Sequence, residues 1–569
     1  MRIEPLRNLQ SRQTMGERAP GSAANVDLLI TGGRIVDGTG NPWYYGDLAV
    51  SDGTIAAIAP TGSIDPASAN EIVPAGGLIV SPGFIDIQSH SIVPFLKDRR
   101  SLSKVTQGVT TEIMGESWTP APFGGRIEHP FPEPMRARIG ETYDEWNERA
   151  RGWTRFGDWL TDLVDRGVSV NVGSFIGGGT VREFGKGYEL GDATPAELEQ
   201  MRDALDEAMR DGAFGLATAL IYPPGAFAGT DELVALCEVV AAHRGVHITH
   251  VRSEEARLLE GIDEAIEIAE RTGVATEIYH LKAAGRPNWG LMTAAIGRIN
   301  AARAAGLDVT ADMYPYIGSG TGIASCLPPW AEEDDRLYEN LRDPKARTRI
   351  HEEALNPTSD WENLGKAAGP ENVILAGLLL PEHAGYVGRS LAEVAAERGQ
   401  DWIECAMDLL LAEGQNLFCF YFLMSEENLR LQLQQPWLTI STDAGGVDPA
   451  QHQGLGLLHP RAFGTYTRVL GKYVREEQVL TLEDAVRKMS SGVASRLGLM
   501  DRGLLRPGMA ADIVLFDPTT VTDHATFADP HHLSTGIRDV WVNGVHVLNN
   551  GEHTGATPGQ LVVGAGARR

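Results

Sequence analysis

Ser81-Pro82-Gly83-Phe84-Ile85-Asp86-Ile87-Gln88-Ser89-His90 closes an apolar, strand-like run that begins at Gly77. The run ends in a polar turn that presents His90, a good metal-ligand type, beside Asp86 and Gln88. A buried strand whose carboxyl end carries such groups is the repeating unit of a parallel barrel, where strand ends converge on one mouth.

This unit recurs eight times. The runs are Leu78–Ile87, Val109–Gly115, Val168–Ile176, Ala213–Leu220, Val246–His250, Val274–His280, Leu307–Met313 and Trp437–Asp443, with helical stretches such as Pro195–Arg210 and Asp231–His243 between them. Alternating strand and helix predicts an α/β protein, and eight units predict a (β/α)8 TIM-like barrel. About 120 residues separate the last two runs, too many for a loop. Roughly residues 321–427 are therefore expected to form a mostly helical insertion, holding the strand-like Val373–Ala376 and Leu417–Phe422. Short apolar runs with Gly and Asp-Gly turns fill residues 26–80 and return at 498–562. The two stretches are expected to pair into one small β domain, since each alone would leave a face uncovered. This gives a flexible tail over 1–25, a barrel over 81–497 and a second tail over 563–569.

The 569 residues carry 49 Lys and Arg against 76 Asp and Glu, a formal charge of −27. That excess argues against nucleic acid or an anionic membrane as partner. Four scattered cysteines, Cys237, Cys326, Cys405 and Cys419, show no CxxC spacing, which predicts no disulfide framework and a cytoplasmic setting. No apolar run reaches the roughly 18 residues of a membrane span, and the first 25 residues lack the apolar segment of a signal peptide.

Reading the carboxyl ends of the eight runs yields a concentrated set. Run one ends near Asp86, Gln88 and His90, run two at Glu116, run five at His250, run six at His280 and run eight at Asp443. Each type binds divalent metals well except Gln88, a weak neutral ligand, and a mixed histidine and carboxylate set suits Zn²⁺. Only 15 histidines occur in the chain, so three among seven strand-end candidates is a concentration that isolated core histidines would not produce.

Several ordered segments resemble the N-acyl-D-amino-acid deacylase (D-aminoacylase) family of the amidohydrolase superfamily. They include Thr249-His250-Val251-Arg252-Ser253-Glu254, Ile278-Tyr279-His280-Leu281-Lys282, Asp312-Met313-Tyr314-Pro315-Tyr316 and Leu458-His459-Pro460-Arg461-Ala462-Phe463-Gly464. The resemblance implies a metal-dependent hydrolase of a linear amide, with zinc on His250 and His280 plus a cysteine after the second strand. Here the cysteine is replaced, and alignment on Ala121-Pro122 puts Glu116 in its place; alignment on Gly115 puts Ser117 there instead. The family's first-strand pair of histidines is reduced to Gln88 and His90. One tightly bound zinc on Glu116, His250 and His280 is expected, with a second site near His90 weak or empty. The resemblance makes Asp443 the catalytic base. Lys282, Arg252 and a tyrosine, Tyr314 or Tyr316, are candidates for binding a small-molecule substrate with a carboxylate. Trp118 and the stretch 123–153 point to a reshaped pocket. A cyclic amide, a dipeptide or an ester remain alternative substrates, and a catalytically inactive scaffold the alternative of another class.

Overall fold

In the computed structural model the described residues are 26–356, 361–414, 417–452 and 456–567. The expected tail over residues 1–25 lies outside them. Each of the eight predicted runs contains a barrel strand: Phe84–Asp86, Val109–Met114, Asn171–Ser174, Gly215–Ala219, Val246–His250, Ala275–Ile278, Val309–Met313 and Leu438–Ile440. The neighbours pair in parallel around the ring. The third strand is interrupted at Phe175: Asn171–Ser174 pairs with the second strand, while its continuation Ile176–Gly177 pairs with the fourth.

Between the eighth strand and the first, the ring closes just beyond the strands themselves. Asp443 N donates to Gln88 O at 3.0 Å and His90 N to Ala444 O at 3.1 Å. Behind this seam lies a fully buried ion pair. Lys104 Nζ donates to Asp86 Oδ2, to Thr442 Oγ1 and to Ala444 O, and Asp86 Oδ1 accepts Thr442 N at 3.0 Å.

The two chain ends share one nine-stranded sheet. Ile79–Pro82, immediately before the first barrel strand, pairs antiparallel with Ile513–Phe516, which joins the halves. Leu28, Ile30, Leu48, Val80, Leu515 and Trp541 form its buried face. Residues past 560 pack onto the barrel: Leu561 bridges Val172, and Gly564 N donates to Gly212 O at 2.9 Å. The chain thus stays on the barrel into the stretch expected as a tail over 563–569, with Val562 buried beside Ile85, Phe175 and Phe214.

The insertion leaves the barrel after the seventh strand. Its helices include Pro344–Leu355, Leu391–Arg398 and Trp402–Glu413. They pack on a three-stranded antiparallel sheet of Gly318–Gly322, Phe418–Phe422 and Val373–Gly377. Its core, with Leu375, Ile403, Leu409 and Tyr421, is separate from that of the barrel. Among the described residues no helix is long and apolar enough to cross a membrane. All four cysteines are buried and unpaired.

Candidate metal centre and active site

The strand ends bring Glu116, His250 and His280 together. Glu116 Oε1 lies 3.6 Å from His250 Nδ1 and 3.6 Å from His280 Nε2, and one donor atom from each residue lies within 4.8 Å of the others. The turn that delivers Glu116 depends on Gly115, at φ +109°, where a Cβ would sit 2.2 Å from Phe175 O. Two site residues hold left-handed backbone without being glycine: His280 at φ 32° and Asp443 at φ 49°. Such conformations cost about 1–3 kcal/mol and persist where the surroundings fix them. His280 N donates to Asp312 Oδ1 at 2.9 Å, and the seam bond from Asp443 N holds the other.

A second group meets on the opposite oxygen of Glu116. Gln88 Nε2 donates to Glu116 Oε2 at 2.6 Å, and His90 Nε2 stands 3.3 Å from the same atom and 2.8 Å from Asp443 Oδ1. Asp443 Oδ2 is paired with Arg461 Nη1 at 2.6 Å. His90, Glu116 and Asp443 thus form a further set of converging donors. Burial pushes Glu116 up, yet His250, His280 and His90 beside it hold it well below the ordinary carboxylate range. Asp443 is likewise held low, against burial, by Arg461 and His90. Burial lowers both His90 and His250, but the carboxylates win. Asp443 and Glu116 raise His90 to about 9, and Glu254 and Glu116 raise His250 to about 9. The carboxylates thus hold protons on the imidazoles, and a cation bound among them would take the place of those protons. Both ring nitrogens of His250 are also buried without a hydrogen-bond partner; with Nε2 turned to Glu254, Nδ1 is the one that would meet a ligand.

These groups line one wall of a cavity of about 550 Å³. Lys282 lies in it, donating to Glu254 Oε1 at 2.6 Å and standing 2.6 Å from His280 Nδ1. Tyr314 lines it too, and its hydroxyl is buried without a partner. Tyr316 instead donates to Pro460 O at 3.4 Å, so of the two tyrosines it is Tyr314 that meets the cavity. Ser117 lines a neighbouring cavity rather than this one. Trp118, Met135, Ala137 and Arg138 form part of the cavity wall, so residues of the 123–153 stretch do shape it.

Arg252 departs from expectation. Its guanidinium forks onto Glu264, at 2.9 Å from both Nε and Nη2, and donates to Ala228 O at 2.8 Å. It borders a different cavity. Two residues past the end of a strand, side-chain alternation no longer governs direction, and the nearby carboxylate captures the guanidinium. The cation found at the centre instead is Arg461, at the start of helix Arg461–Arg468, with its guanidinium 4.6 Å over the Tyr314 ring. Glu254 was also not singled out from the sequence. It takes Lys282, faces His280 Nδ1 at 3.1 Å and faces His250 Nε2 at 3.4 Å. Both residues sit inside the quoted family segments, but neither ends a strand.

The sequence model described as the amidohydrolase family matches residues 71–548. Two proteins of Alcaligenes xylosoxydans xylosoxydans are similar over nearly all their length. An N-acyl-D-aspartate deacylase is 34% identical, over 95% of this chain and 95% of its own. A D-aminoacylase is 33% identical, over 94% of this chain and 97% of its own. Among solved structures, an N-acyl-D-glutamate deacylase from Bordetella bronchiseptica, complexed with zinc and a phosphonate that mimics the tetrahedral intermediate, superposes with a TM-score of 0.77. It is 31% identical and covers 95% of this chain and 100% of that one. With the barrel, the converging donors and these matches in hand, the chain belongs to the amidohydrolase family, in the group that holds D-aminoacylase and the N-acyl-D-amino-acid deacylases.

Proposed function

We propose that this chain is a zinc-dependent hydrolase of the linear amide bond in N-acyl amino acids, with N-acyl-D-amino acids as its leading substrate class. The observation that carries the reading is the convergence of Glu116 Oε1, His250 Nδ1 and His280 Nε2 opposite Asp443 in one cavity. These three would hold the ion. Two imidazoles and a carboxylate suit zinc; the far nitrogen of His250 faces Glu254, the carboxylate–histidine arrangement that orients metal ligands, and that of His280 faces both Lys282 and Glu254. When bound, zinc supplies a Lewis acid that brings the pKa of water close to neutral and polarises a carbonyl.

The remaining steps fall to the protein. Asp443, ionised between Arg461 and His90, takes a proton from the attacking water and passes it to the amine nitrogen as the C–N bond breaks. His90, with its side chain 44% exposed to the cavity, is placed to donate toward the oxygen on which charge develops. Arg461 and Lys282, each paired with a carboxylate, both stand over the Tyr314 ring, and Tyr314 adds a free hydroxyl donor. That combination suits a substrate carboxylate. The partner is thus a small anionic molecule, and four unpaired thiols fit a cytoplasmic setting.

One tightly held zinc is the expected content, since Gln88 already occupies the Glu116 oxygen that faces His90. The test is metal analysis of the purified chain with assays on paired N-acyl-D- and N-acyl-L-amino acids. Expected are one retained zinc per chain, turnover of D substrates and loss of activity on chelation. Full activity in zinc-stripped protein would overturn the reading, as would turnover confined to esters or cyclic amides.

A further inference from the structure

The carboxylate that faces both metal-site imidazoles is itself held from outside the barrel. Glu254 lies between the fifth strand and helix Leu258–Thr272, in a loop with no regular pairing of its own. Its carbonyl accepts Ala284 N at 2.7 Å, which ties it to the loop after the sixth strand. On its other side, the N–H groups of Glu254 and Glu255 both donate to Glu362 Oε1, at 2.6 and 2.8 Å. Glu362 belongs to the insertion, one residue before Asn363, which caps helix Leu364–Ala368. One carboxylate oxygen that takes two successive N–H groups fixes the direction of the turn through two charge-assisted bonds.

This arrangement is costly for stability alone. Glu362 Oε2 and Glu255 Oε1 have no protein hydrogen-bond partner where they border a cavity of about 310 Å³, and desolvating carboxyl groups there weakens the fold. Burial and the neighbouring carboxylates push Glu362 up to about 7 and Glu255 to about 9. An insertion needing only to cover the barrel would pack better with an apolar residue there. What the carboxylate does gain is the orientation of Glu254, whose two oxygens meet Lys282, His280 and His250.

We propose that Glu362 is a positioning residue of the active site: the insertion reaches through it to aim Glu254, and so sets which nitrogens of His250 and His280 face Glu116. The inference rests on the zinc-hydrolase reading above. In the amidohydrolase chemistry proposed here, Glu362 touches neither substrate nor ion, and its effect passes through Glu254 alone.

The experiment compares the full chain with Glu362→Ala, Glu362→Gln and Asn363→Ala. Zinc loss to a chelator, kcat, KM and thermal stability are measured for each. Glu362→Ala should release zinc faster and lose kcat, each by about 10–100-fold, with KM close to unchanged. Glu362→Gln keeps an acceptor oxygen and should recover most of both. Asn363→Ala removes the cap of the adjacent helix and should lower thermal stability while zinc release stays as in the unaltered chain. The proposal is overturned if Glu362→Ala retains zinc and kcat, if Glu362→Gln is as damaged as Glu362→Ala, or if Asn363→Ala releases zinc as fast. An unaltered chain that holds no zinc would overturn the proposed function instead, and shows itself before any variant is compared.

Discussion

Gln88 donates its amide N–H to Glu116 Oε2 at 2.6 Å, while its Oε1 lies 3.3 Å from Ser441 Oγ, which also reaches Asp312 Oδ1 at 2.6 Å. The side chain is therefore used at both ends, and it spends the Glu116 lone pair that a second ion beside His90 would need. Gln88→His should free that oxygen and add an imidazole to the His90, Glu116 and Asp443 set. Metal analysis should then find zinc rising from one toward two per chain; a content fixed at one would show that Gln88 does not set the stoichiometry. Asp443 has the opposite character, a carboxylate kept ionised for proton transfer. Asp443→Asn preserves shape and should lower kcat by about 10²–10⁴-fold with zinc on Glu116, His250 and His280 retained. Undiminished kcat would remove Asp443 from the role of base. These residues were legible because each closes or directly follows a strand, where position in the sequence fixes position in the barrel. Arg461 was not, because it arrives 18 residues after Asp443 on a helix whose approach to the mouth is a tertiary fact. Arg252 was misread for the converse reason: its neighbourhood is local, and Glu264 on the following helix outcompetes the cavity for it.

At the scale of elements, the first and eighth barrel strands are short, three residues each, and share few ladder bonds. Side chains supply what the ladder lacks. Lys104, on the short helix Leu102–Val105, reaches Asp86 at the end of the first strand and Thr442 and Ala444 beyond the eighth. All of Lys104 and Asp86 is buried, so the pair stabilises only as a complete unit, and removing one partner strands a charge. Lys104→Met should cost about 3–5 kcal/mol and loosen the turn that carries Asp443. Denaturant unfolding measures the first effect, and kcat with retained zinc measures the second. Stability unchanged from the parent chain would show that backbone bonds alone close the seam. The count of strands was legible from apolar runs, whereas this closure was not. A lone lysine after a strand has no periodic pattern, and its partners lie 18 and more than 300 residues away.

Across the whole molecule, the barrel and the insertion line the cavity, while the sheet from the two chain ends shares part of the barrel core and lies away from it, so each contributes differently. The sheet from the two chain ends joins the barrel through Ile79–Pro82, the barrel supplies the donors, and the insertion supplies Gly320 and Glu362, which hold Arg461 and the Glu254 turn. A cation at the centre would tie the second, fifth and sixth strands to one another through Glu116, His250 and His280. It would also take the place of the protons that Glu116, Asp443 and Glu254 hold on His90 and His250. Binding to the folded state alone stabilises by RT ln(1 + [L]/Kd), roughly 4 kcal/mol when free zinc exceeds Kd about 1,000-fold. Stripping the metal should therefore lower Tm by several degrees at neutral pH. Zinc added back should restore Tm in proportion to the logarithm of its free concentration, while magnesium, which prefers six oxygens, should not. Differential scanning calorimetry on chelated and reloaded protein reads this directly. The insertion and the barrel both depend on the Glu254 turn, so the transition should shift as a unit. A Tm indifferent to zinc would mean that the converging donors do not hold an ion strongly enough to matter to the fold.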